Sequence, residues 1–272
     1  MEHLLSVWPK VAQQLRDAKH ILFLADYDGT LTPIVERPEL ANLPESTREL
    51  LQALARQQCL TLAVISGRAL TDLKNKVNVS GIIYAGNHGL EIEGLGVSFI
   101  SPLAKEIRPV LSLVYQLLSQ ALGAIRGVIV EDKGLTLSVH YRLVEEKKAE
   151  EVKNIFERTI SGAQVLGKVR ITSGKKVYEV RPATSWDKGK ATKLLMKMYG
   201  KGGRKSGLLP IYLGDDLTDE DGFKVIEKYG SGISVFVGEP HRDTAARYFL
   251  KSPTGVARFL AMLLEHARRG FQ

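Results

Sequence analysis

The sequence is short of cysteine, of long apolar runs and of a basic leader, and each absence excludes a class of protein. Cys59 is the only cysteine among 272 residues, which excludes a disulfide framework and a metal cluster held by thiolates. No apolar run is long enough to cross a membrane, and residues 1–9 lack the basic start and apolar core of a signal peptide. We therefore expect a cytoplasmic protein that does not bind a membrane.

Length and charge narrow the remaining classes. The 272 residues suffice for one large or two modest domains, and 44% hydrophobic with 25% charged residues is typical of a globular protein. The net charge of +8 raises the question of an anionic partner. Because lysines and arginines are spread along the chain, we expect a small anionic substrate and no nucleic acid. A non-enzymatic module that binds RNA or an acidic partner is the alternative.

Apolar runs alternate with helical patterns in the first and last thirds of the chain. The runs 21–24, 60–65 and 82–85 are typical of strands buried on both faces. The alternation returns in the last third, around the runs 209–213 and 234–237. This pattern predicts an α/β fold built on a doubly wound, Rossmann-like parallel sheet.

The middle of the chain has a different pattern. Two long helical segments alternate there with pairs of strands, beginning with a hairpin predicted at 91–100. Such an order predicts an antiparallel α+β unit inserted into the parallel domain. We therefore expect a core of residues 1–90 and 183–272, and an inserted domain of residues 91–182.

Two aspartates with one residue between them follow the first predicted strand. Residues two apart on an extended chain point to the same side, so Asp26 and Asp28 would place two negative charges together. A hard divalent cation with oxygen ligands commonly offsets such a charge. Gly29 allows a sharp turn, and Thr30 adds a hydroxyl. Taken alone, the segment is equally compatible with a turn after a strand.

Polar residues also follow the other predicted parallel strands, and ligands bind at the carboxyl ends of such strands. Asp215 opens an acidic run and is the natural third carboxylate of a Mg²⁺ site. Ser66 can donate to a phosphate, and Lys188 at a helix start gains from a nearby anion. Singly, Ser66 is better explained as a helix N-cap and Lys188 as a surface residue. Their joint order along the chain favours a phosphate site.

These motifs resemble, in order and spacing, the four motifs of the haloacid dehalogenase superfamily: 26–30, 66–68, Lys188 and 214–216. More narrowly, the segments 86–91, 179–182 and 214–221 resemble the trehalose-phosphatase family. The resemblance implies a hydrolase core and identifies the inserted α+β unit with the superfamily's cap. It also implies Mg²⁺-dependent hydrolysis of trehalose 6-phosphate through an aspartyl-phosphate intermediate.

The resemblance implies a role for each motif residue. Asp26 is expected to be the nucleophile, and Asp28 the acid that protonates the departing sugar oxygen and then activates water. Ser66 and Lys188 are the expected catalytic residues that bind the phosphoryl oxygens. The expected metal site is formed by four acidic residues: Asp26, Asp28, Asp215 and Asp219. Asp28 is expected to contribute its backbone carbonyl, and Asp219 to support the metal through water or Lys188.

Substrate-binding residues are expected in both domains. Those of the core lie in the second motif and after the third strand: Gly67, Arg68, Asn87, His88, Gly89 and Glu91. Those of the cap alternate along its predicted strands: His140, Arg142, Lys176, Glu179 and Arg181. Glu179 and Arg181 share one face of a strand, as two sugar-binding groups require, although a salt bridge on the cap sheet is the alternative. For His88 the alternative is a turn residue satisfied by local backbone.

Other substrates of the same chemistry remain open at this point. The phosphates of sucrose and glucosylglycerol, and mannosyl phosphoglycerate, suit the same architecture. The segments 86–89 and 179–181 favour the trehalose compound. A small-molecule sugar phosphate is the expected partner, and we expect a monomer.

Overall fold

The computed structural model describes residues 1–164, 167–174, 176–200, 207–240 and 243–269. The strands in chain order are β1 (Glu2–His3), β2 (His20–Ala25), β3 (Leu60–Ile65), β4 (Ile83–Gly86), β5 (Glu91–Gly94), β6 (Val97–Ile100), β7 (Ile129–Asp132), β8 (Leu137–His140), β9 (Val169–Gly174), β10 (Val177–Pro182), β11 (Leu208–Gly214), β12 (Ile233–Val237) and β13 (Tyr248–Leu250). The helices are α1 (Trp8–Arg16), α2 (Glu45–Ala55), α3 (Leu70–Val77), α4 (Pro102–Leu122), α5 (Ala149–Gln164), α6 (Lys188–Tyr199), α7 (Glu220–Tyr229) and α8 (Pro253–Arg268). Over these residues, no helix is both long and apolar enough to span a bilayer.

The chain forms two compact units, one made of Met1–Phe99 with Trp186–Gln272 and the other of Ile100–Ser185. The first unit contains a nine-stranded sheet in the order β1-β13-β12-β11-β2-β3-β4-β5-β6. The pairs from β1 to β4 are parallel, and β5 runs antiparallel to β4. The predicted α/β fold with a large parallel sheet is confirmed.

Successive residues of β2 enter two different hydrophobic clusters, which explains its unbroken apolar sequence. Ile21 and Phe23 pack in a cluster that also contains apolar residues of α2 and α8. Leu22 and Leu24 pack in a second cluster with residues of α6 and α7. Because side chains alternate across a strand, the two clusters lie on opposite faces of the sheet. The sheet is therefore buried on both faces, as a parallel sheet requires.

The second unit contains a four-stranded antiparallel sheet in the order β7-β8-β10-β9. Apolar side chains of its strands pack with those of α4 and α5, around Phe156 and Leu118. One face of the sheet thus builds the core of this unit, and the alternate residues face the other way. The order of two helices and four strands follows the sequence pattern.

The limits of the two units differ from the predicted domain limits. The hairpin of β5 and β6 belongs to the large sheet, because a short turn after β4 returns the chain so that Gly86 pairs with Glu91. The second unit therefore begins at Ile100, whereas the sequence predicted its start at residue 91.

Candidate active site

Acidic side chains meet where the neighbouring strands β2 and β11 end. Asp26 directly follows β2, and its backbone N–H donates to the carbonyl of Leu213 in β11 (2.9 Å). Oxygens of Asp26, Asp215 and Asp219 lie within 4.8 Å of one another. Gly29, at φ +83°, lies against this group, since a Cβ there would come 2.2 Å from an Asp215 oxygen. The parallel register of two strands thus brings together residues that are far apart in the sequence.

A buried lysine joins two of these carboxylates. Lys188 begins α6, and its Nζ donates to Asp26 Oδ1 and to Asp219 Oδ1, both at 2.8 Å. Burial by itself lowers the pKa of Lys188, but the charges of Asp219 and Asp26 outweigh burial and raise that pKa well above its usual value. Lys188 is therefore a fixed positive charge beside the predicted nucleophile, and it is not the surface residue of the alternative interpretation.

Asp219 is fully buried and accepts four hydrogen bonds. Its Oδ1 accepts from Lys188 Nζ and from the hydroxyl of Tyr212 (2.9 Å). Its Oδ2 accepts from the backbone N–H groups of Asp215 and Asp216, both at 3.1 Å. A carboxylate offers about four lone-pair sites, so these donors use all of them. This arrangement suits Asp219 to positioning Lys188 and the acidic loop better than to direct metal binding.

The carboxylate of Asp28 does not join this cluster, contrary to the expectation that it would lie beside that of Asp26. It accepts from Arg68 Nε at 2.7 Å and from Arg68 Nη2 at 2.7 Å. The reason is that β2 ends at Ala25 and the chain then turns, with the N–H of Leu31 bonded to the carbonyl of Tyr27 (3.0 Å). The rule for residues two apart holds only in extended chain. The predicted metal contact through the Asp28 carbonyl stays a prediction.

Ser66 lies at the same edge of the sheet, directly after β3, which pairs with β2. Its hydroxyl accepts from the backbone N–H of Arg68 at 3.2 Å, and the residue is buried. The helix that follows, α3, has Ala69 at its N-cap. The N-cap interpretation of Ser66 is therefore wrong, and its hydroxyl instead closes a turn two residues long.

The segment after β4 is a tight turn with left-handed backbone at Asn87 (φ 48°) and His88 (φ 58°). Asn87 Nδ2 donates to Glu91 Oε1 (2.7 Å), and the same oxygen accepts from the N–H of Leu70 (3.2 Å). The His88 ring packs so closely on Gly67 that a Cβ there would lie 2.6 Å from the ring. His88 therefore has the backbone conformation of a turn residue, as the alternative interpretation expects. Left-handed residues of this kind cluster at functional sites.

The second unit has its own polar cluster, on the face of the sheet opposite its core. His140 Nε2 lies 2.9 Å from Glu131 Oε2, and Lys133 Nζ lies 3.4 Å from Glu179 Oε1. Arg181 Nε donates to Glu179 Oε2 at 2.8 Å, so the ion pair runs along one strand and does not cross between strands. We call these five residues the sheet cluster.

Sequence reasoning missed Glu131 and Lys133. Ser138 of β8 pairs with Glu131 of β7 and with Glu179 of β10, which places both glutamates in one row across the sheet. The sequence signal for Glu131 was that it lies two residues after Ile129, on the same face of a strand whose alternate residues face the core.

Two further predicted cap residues are Lys176 and Arg142. Lys176 pairs with the exposed Glu146, its Nζ 2.8 Å from Oε2. Arg142 is exposed and lies beyond the end of β8. The carbonyl of Gly89, in the first unit, accepts from Trp186 Nε1 at 2.7 Å. Substrate binding stays a prediction for these three residues, as it does for the other residues predicted to bind substrate.

Comparison with known proteins shows the family to which the chain belongs. Residues 24–254 match the family model for trehalose-phosphatase. Probable trehalose-phosphate phosphatase 4 of Oryza sativa subsp. japonica is 37% identical, over 97% of this chain and 71% of the relative. Trehalose 6-phosphate phosphatase RA3 of Zea mays is 38% identical, over 90% of this chain and 70% of the relative.

A solved structure has a similar fold. The C-terminal domain of C. albicans trehalose-6-phosphate phosphatase superposes with a TM-score of 0.80 at 24% identity, covering 94% of this chain and 96% of that chain. The resemblance predicted from the motifs is therefore confirmed, and the chain belongs to the trehalose-phosphatase family.

Proposed function

We propose that the protein hydrolyses trehalose 6-phosphate to trehalose and phosphate, as a phosphoric monoester hydrolase. The observation that carries this proposal is the buried contact of Lys188 with Asp26, beside Asp215 and Asp219, in a chain of the trehalose-phosphatase family. Relatives from rice and maize carry trehalose phosphatase names. A fixed ammonium next to a buried carboxylate is the pairing that phosphoryl transfer to an aspartate needs.

The acidic cluster fits a magnesium ion by the chemistry of its donors. Oxygens of Asp26, Asp215 and Asp219 lie within 4.8 Å of one another, and Lys188 pairs with Asp26 and Asp219. Hard oxygen donors of this kind are the ligands that Mg²⁺ prefers. Asp26 and Asp215 would hold the ion, with the Asp28 carbonyl as the predicted third protein ligand. When bound, Mg²⁺ offsets the repulsion between the Asp26 carboxylate and the phosphate dianion.

The protein's own residues divide the reaction into two displacements. A carboxylate oxygen of Asp26 bonds to phosphorus while the bond from phosphorus to the sugar oxygen breaks, and Asp28 gives that oxygen a proton. Water then attacks the phosphorus of the aspartyl phosphate, Asp28 takes the proton, and the carboxylate of Asp26 is restored. Lys188 and Ser66 hold the phosphoryl oxygens in both steps.

Recognition of the sugar is assigned to the second unit, which we propose is the cap. The sheet cluster offers both donors and acceptors, since Lys133 and Arg181 lie next to Glu179, and His140 lies next to Glu131. Sugar hydroxyls need both kinds of partner. In the core, Asn87 and Glu91 are proposed to act near the same substrate. Cytoplasmic location, a monomeric state and the lack of nucleic-acid and membrane partners remain predictions from the sequence.

The test is phosphate release from a panel of sugar phosphates in Mg²⁺, with a chelator control. The panel contains trehalose 6-phosphate, sucrose 6-phosphate, glucose 6-phosphate and glucosylglycerol phosphate. We expect preference for trehalose 6-phosphate and loss of activity on chelation. Metal-dependent release that favours another sugar would overturn the substrate but keep the chemistry. If the folded protein released no phosphate from any of these substrates, the proposal that it is a phosphatase would be wrong.

A further inference from the structure

The guanidinium of Arg68 is occupied by the protein itself. Besides its two bonds to Asp28, its Nη1 donates to Asp72 Oδ2 (2.7 Å) and its Nη2 to the carbonyl of Pro38 (2.9 Å). The group also lies 5.2 Å from the centre of the Tyr27 ring, and the side chain is only 9% exposed. A guanidinium has five N–H donors, so most of them are already used. Arg68 has little left to offer a substrate.

The two parallel bonds from Arg68 fix the plane of the Asp28 carboxylate. Each carboxylate oxygen keeps a further lone pair after accepting one hydrogen bond. The side chain of Asp28 is 40% exposed, whereas that of Asp26 is 7% exposed. Asp28 is therefore held in orientation and still accessible, which is what proton exchange with a bound reactant requires.

Asp72 holds Arg68 from the other side. It lies in the first turn of α3, four residues after Arg68, and it also contacts that guanidinium at 2.7 Å. An acidic residue in a first helical turn is favourable by itself, through the helix dipole. The helix dipole does not explain why the Asp72 carboxylate is bonded to the buried guanidinium of Arg68. The other edge of that guanidinium binds Asp28. The three side chains form one continuous chain of ion pairs.

We propose that Arg68 and Asp72 are positioning residues for the acid–base carboxylate Asp28. Asp72 fixes Arg68, and Arg68 fixes the plane in which Asp28 gives a proton to the departing sugar oxygen. This inference rests on the proposed function, and it replaces the expected substrate contact of Arg68 with a contact to the catalytic carboxylate.

The test uses the leaving group, because only a poor leaving group needs the proton. A sugar alkoxide is a strong base and departs as the alcohol, whereas p-nitrophenolate is a weak base and departs without a proton. We compare single-turnover cleavage of trehalose 6-phosphate and p-nitrophenyl phosphate by wild type, Arg68→Lys and Asp72→Asn, in Mg²⁺. Lysine keeps the charge but loses the two parallel bonds.

The trehalose 6-phosphate step is expected to slow about a hundredfold in Arg68→Lys and about tenfold in Asp72→Asn, within the range that acid–base catalysis contributes. The p-nitrophenyl phosphate step is expected to slow less than about threefold in both. In a separate measurement with p-nitrophenyl phosphate in excess over enzyme, a burst of p-nitrophenol should appear in Arg68→Lys, since hydrolysis of the aspartyl phosphate still needs Asp28. Guanidinium chloride at non-denaturing concentration should restore part of the rate of Arg68→Ala.

Arg48→Ala is the matched control. Arg48 is a partly buried arginine of the same unit that donates to the backbone carbonyl of Lys76, and it should keep wild-type rates. Equal slowing of both substrates in Arg68→Lys and Asp72→Asn, or no slowing in either variant, would overturn the inference. Failure of the wild type to cleave either substrate would overturn the proposed function instead, so the two failures are distinguishable.

Discussion

The two polar clusters of this protein hold their charges differently. Around Asp26, the ammonium of Lys188 is 2% exposed and touches two carboxylates at 2.8 Å. In the sheet cluster, Glu131 is 35% exposed and the contact from Lys133 to Glu179 is 3.4 Å long. Asp26, Lys188 and Asp219, which we call the dry cluster, are at most 7% exposed and tightly paired, whereas the sheet cluster is partly exposed at Glu131 and His140 and less exposed at Lys133 and Glu179. The first therefore suits chemistry that needs fixed charges, and the second suits partners that exchange with sugar hydroxyls.

This difference predicts where a substitution acts. A charge removed from the dry cluster leaves its partner buried and unpaired, which is costly for folding and for the transition state. A charge removed from the sheet cluster should cost less, because Glu179 contacts both Lys133 and Arg181 and keeps one cation when the other is removed. We expect the dry cluster to determine kcat and the sheet cluster to determine KM.

The largest effect should come from Asp26→Asn. The amide cannot form the aspartyl phosphate, so we expect kcat for trehalose 6-phosphate to fall at least about 10⁴-fold. Phosphate release measures this loss, and circular dichroism checks the fold. Asp17→Asn, an exposed aspartate of the same unit, is the control and should keep wild-type activity. Turnover by Asp26→Asn within tenfold of wild type would refute the assignment of the nucleophile.

The next effect should come from Lys188→Met, which keeps the length of the side chain and removes its charge. We expect kcat to fall about a thousandfold, because the phosphoryl oxygens lose a preorganised positive charge. The free energy of unfolding should also fall by about 3–5 kcal/mol, since Asp26 and Asp219 are left buried without their cation.

Urea unfolding and steady-state kinetics measure the two effects of Lys188→Met separately. Lys190→Met on the same helix is the matched control for loss of a lysine charge. Unchanged stability together with reduced kcat would mean that the buried pair contributes little to folding. Unchanged kcat would contradict the role of Lys188 in catalysis.

In the sheet cluster, Lys133→Met should act on KM. We expect KM for trehalose 6-phosphate to rise about tenfold with kcat changed less than about threefold, because a lost polar contact to substrate weakens ground state and transition state alike. Lys147→Met, an exposed lysine of the same unit, is the control and should leave both constants unchanged. A fall in kcat at constant KM would remove the proposed difference between the clusters.

The positions of the catalytic candidates were predictable wherever they depended on strand ends. Asp26, Ser66 and Asp215 each follow an apolar strand, and neighbouring parallel strands place such residues at one edge. The orientation of Asp28 was not predictable in this way, because the chain leaves the extended conformation after Ala25. The alternation rule says nothing about a side chain inside a turn.

Contacts across strands were harder to predict. Glu131 and Glu179 lie in one row across the sheet because of the register of three strands. No local sequence pattern encodes that register. Tyr212 lies within the apolar run 209–213, and nothing in that run indicates a role for its hydroxyl. Its hydroxyl reaches Asp219 only because the loop after β11 folds back before α7 begins.

The smallest effect should come from Tyr212→Phe, which removes one of the four donors on Asp219. Three donors remain, among them Lys188, so we expect kcat to fall only about threefold to fivefold, as loss of one of several hydrogen bonds allows. KM should stay unchanged, because the hydroxyl is fully buried in the core unit and makes its bond to Asp219.

Tyr248→Phe is the matched control, since Tyr248 is a fully buried tyrosine of the same sheet. A loss of kcat in Tyr212→Phe alone, at equal thermal stability, would show that the dry cluster depends on each donor around Asp219. Equal losses in both variants would mean that the tyrosine acts only through packing.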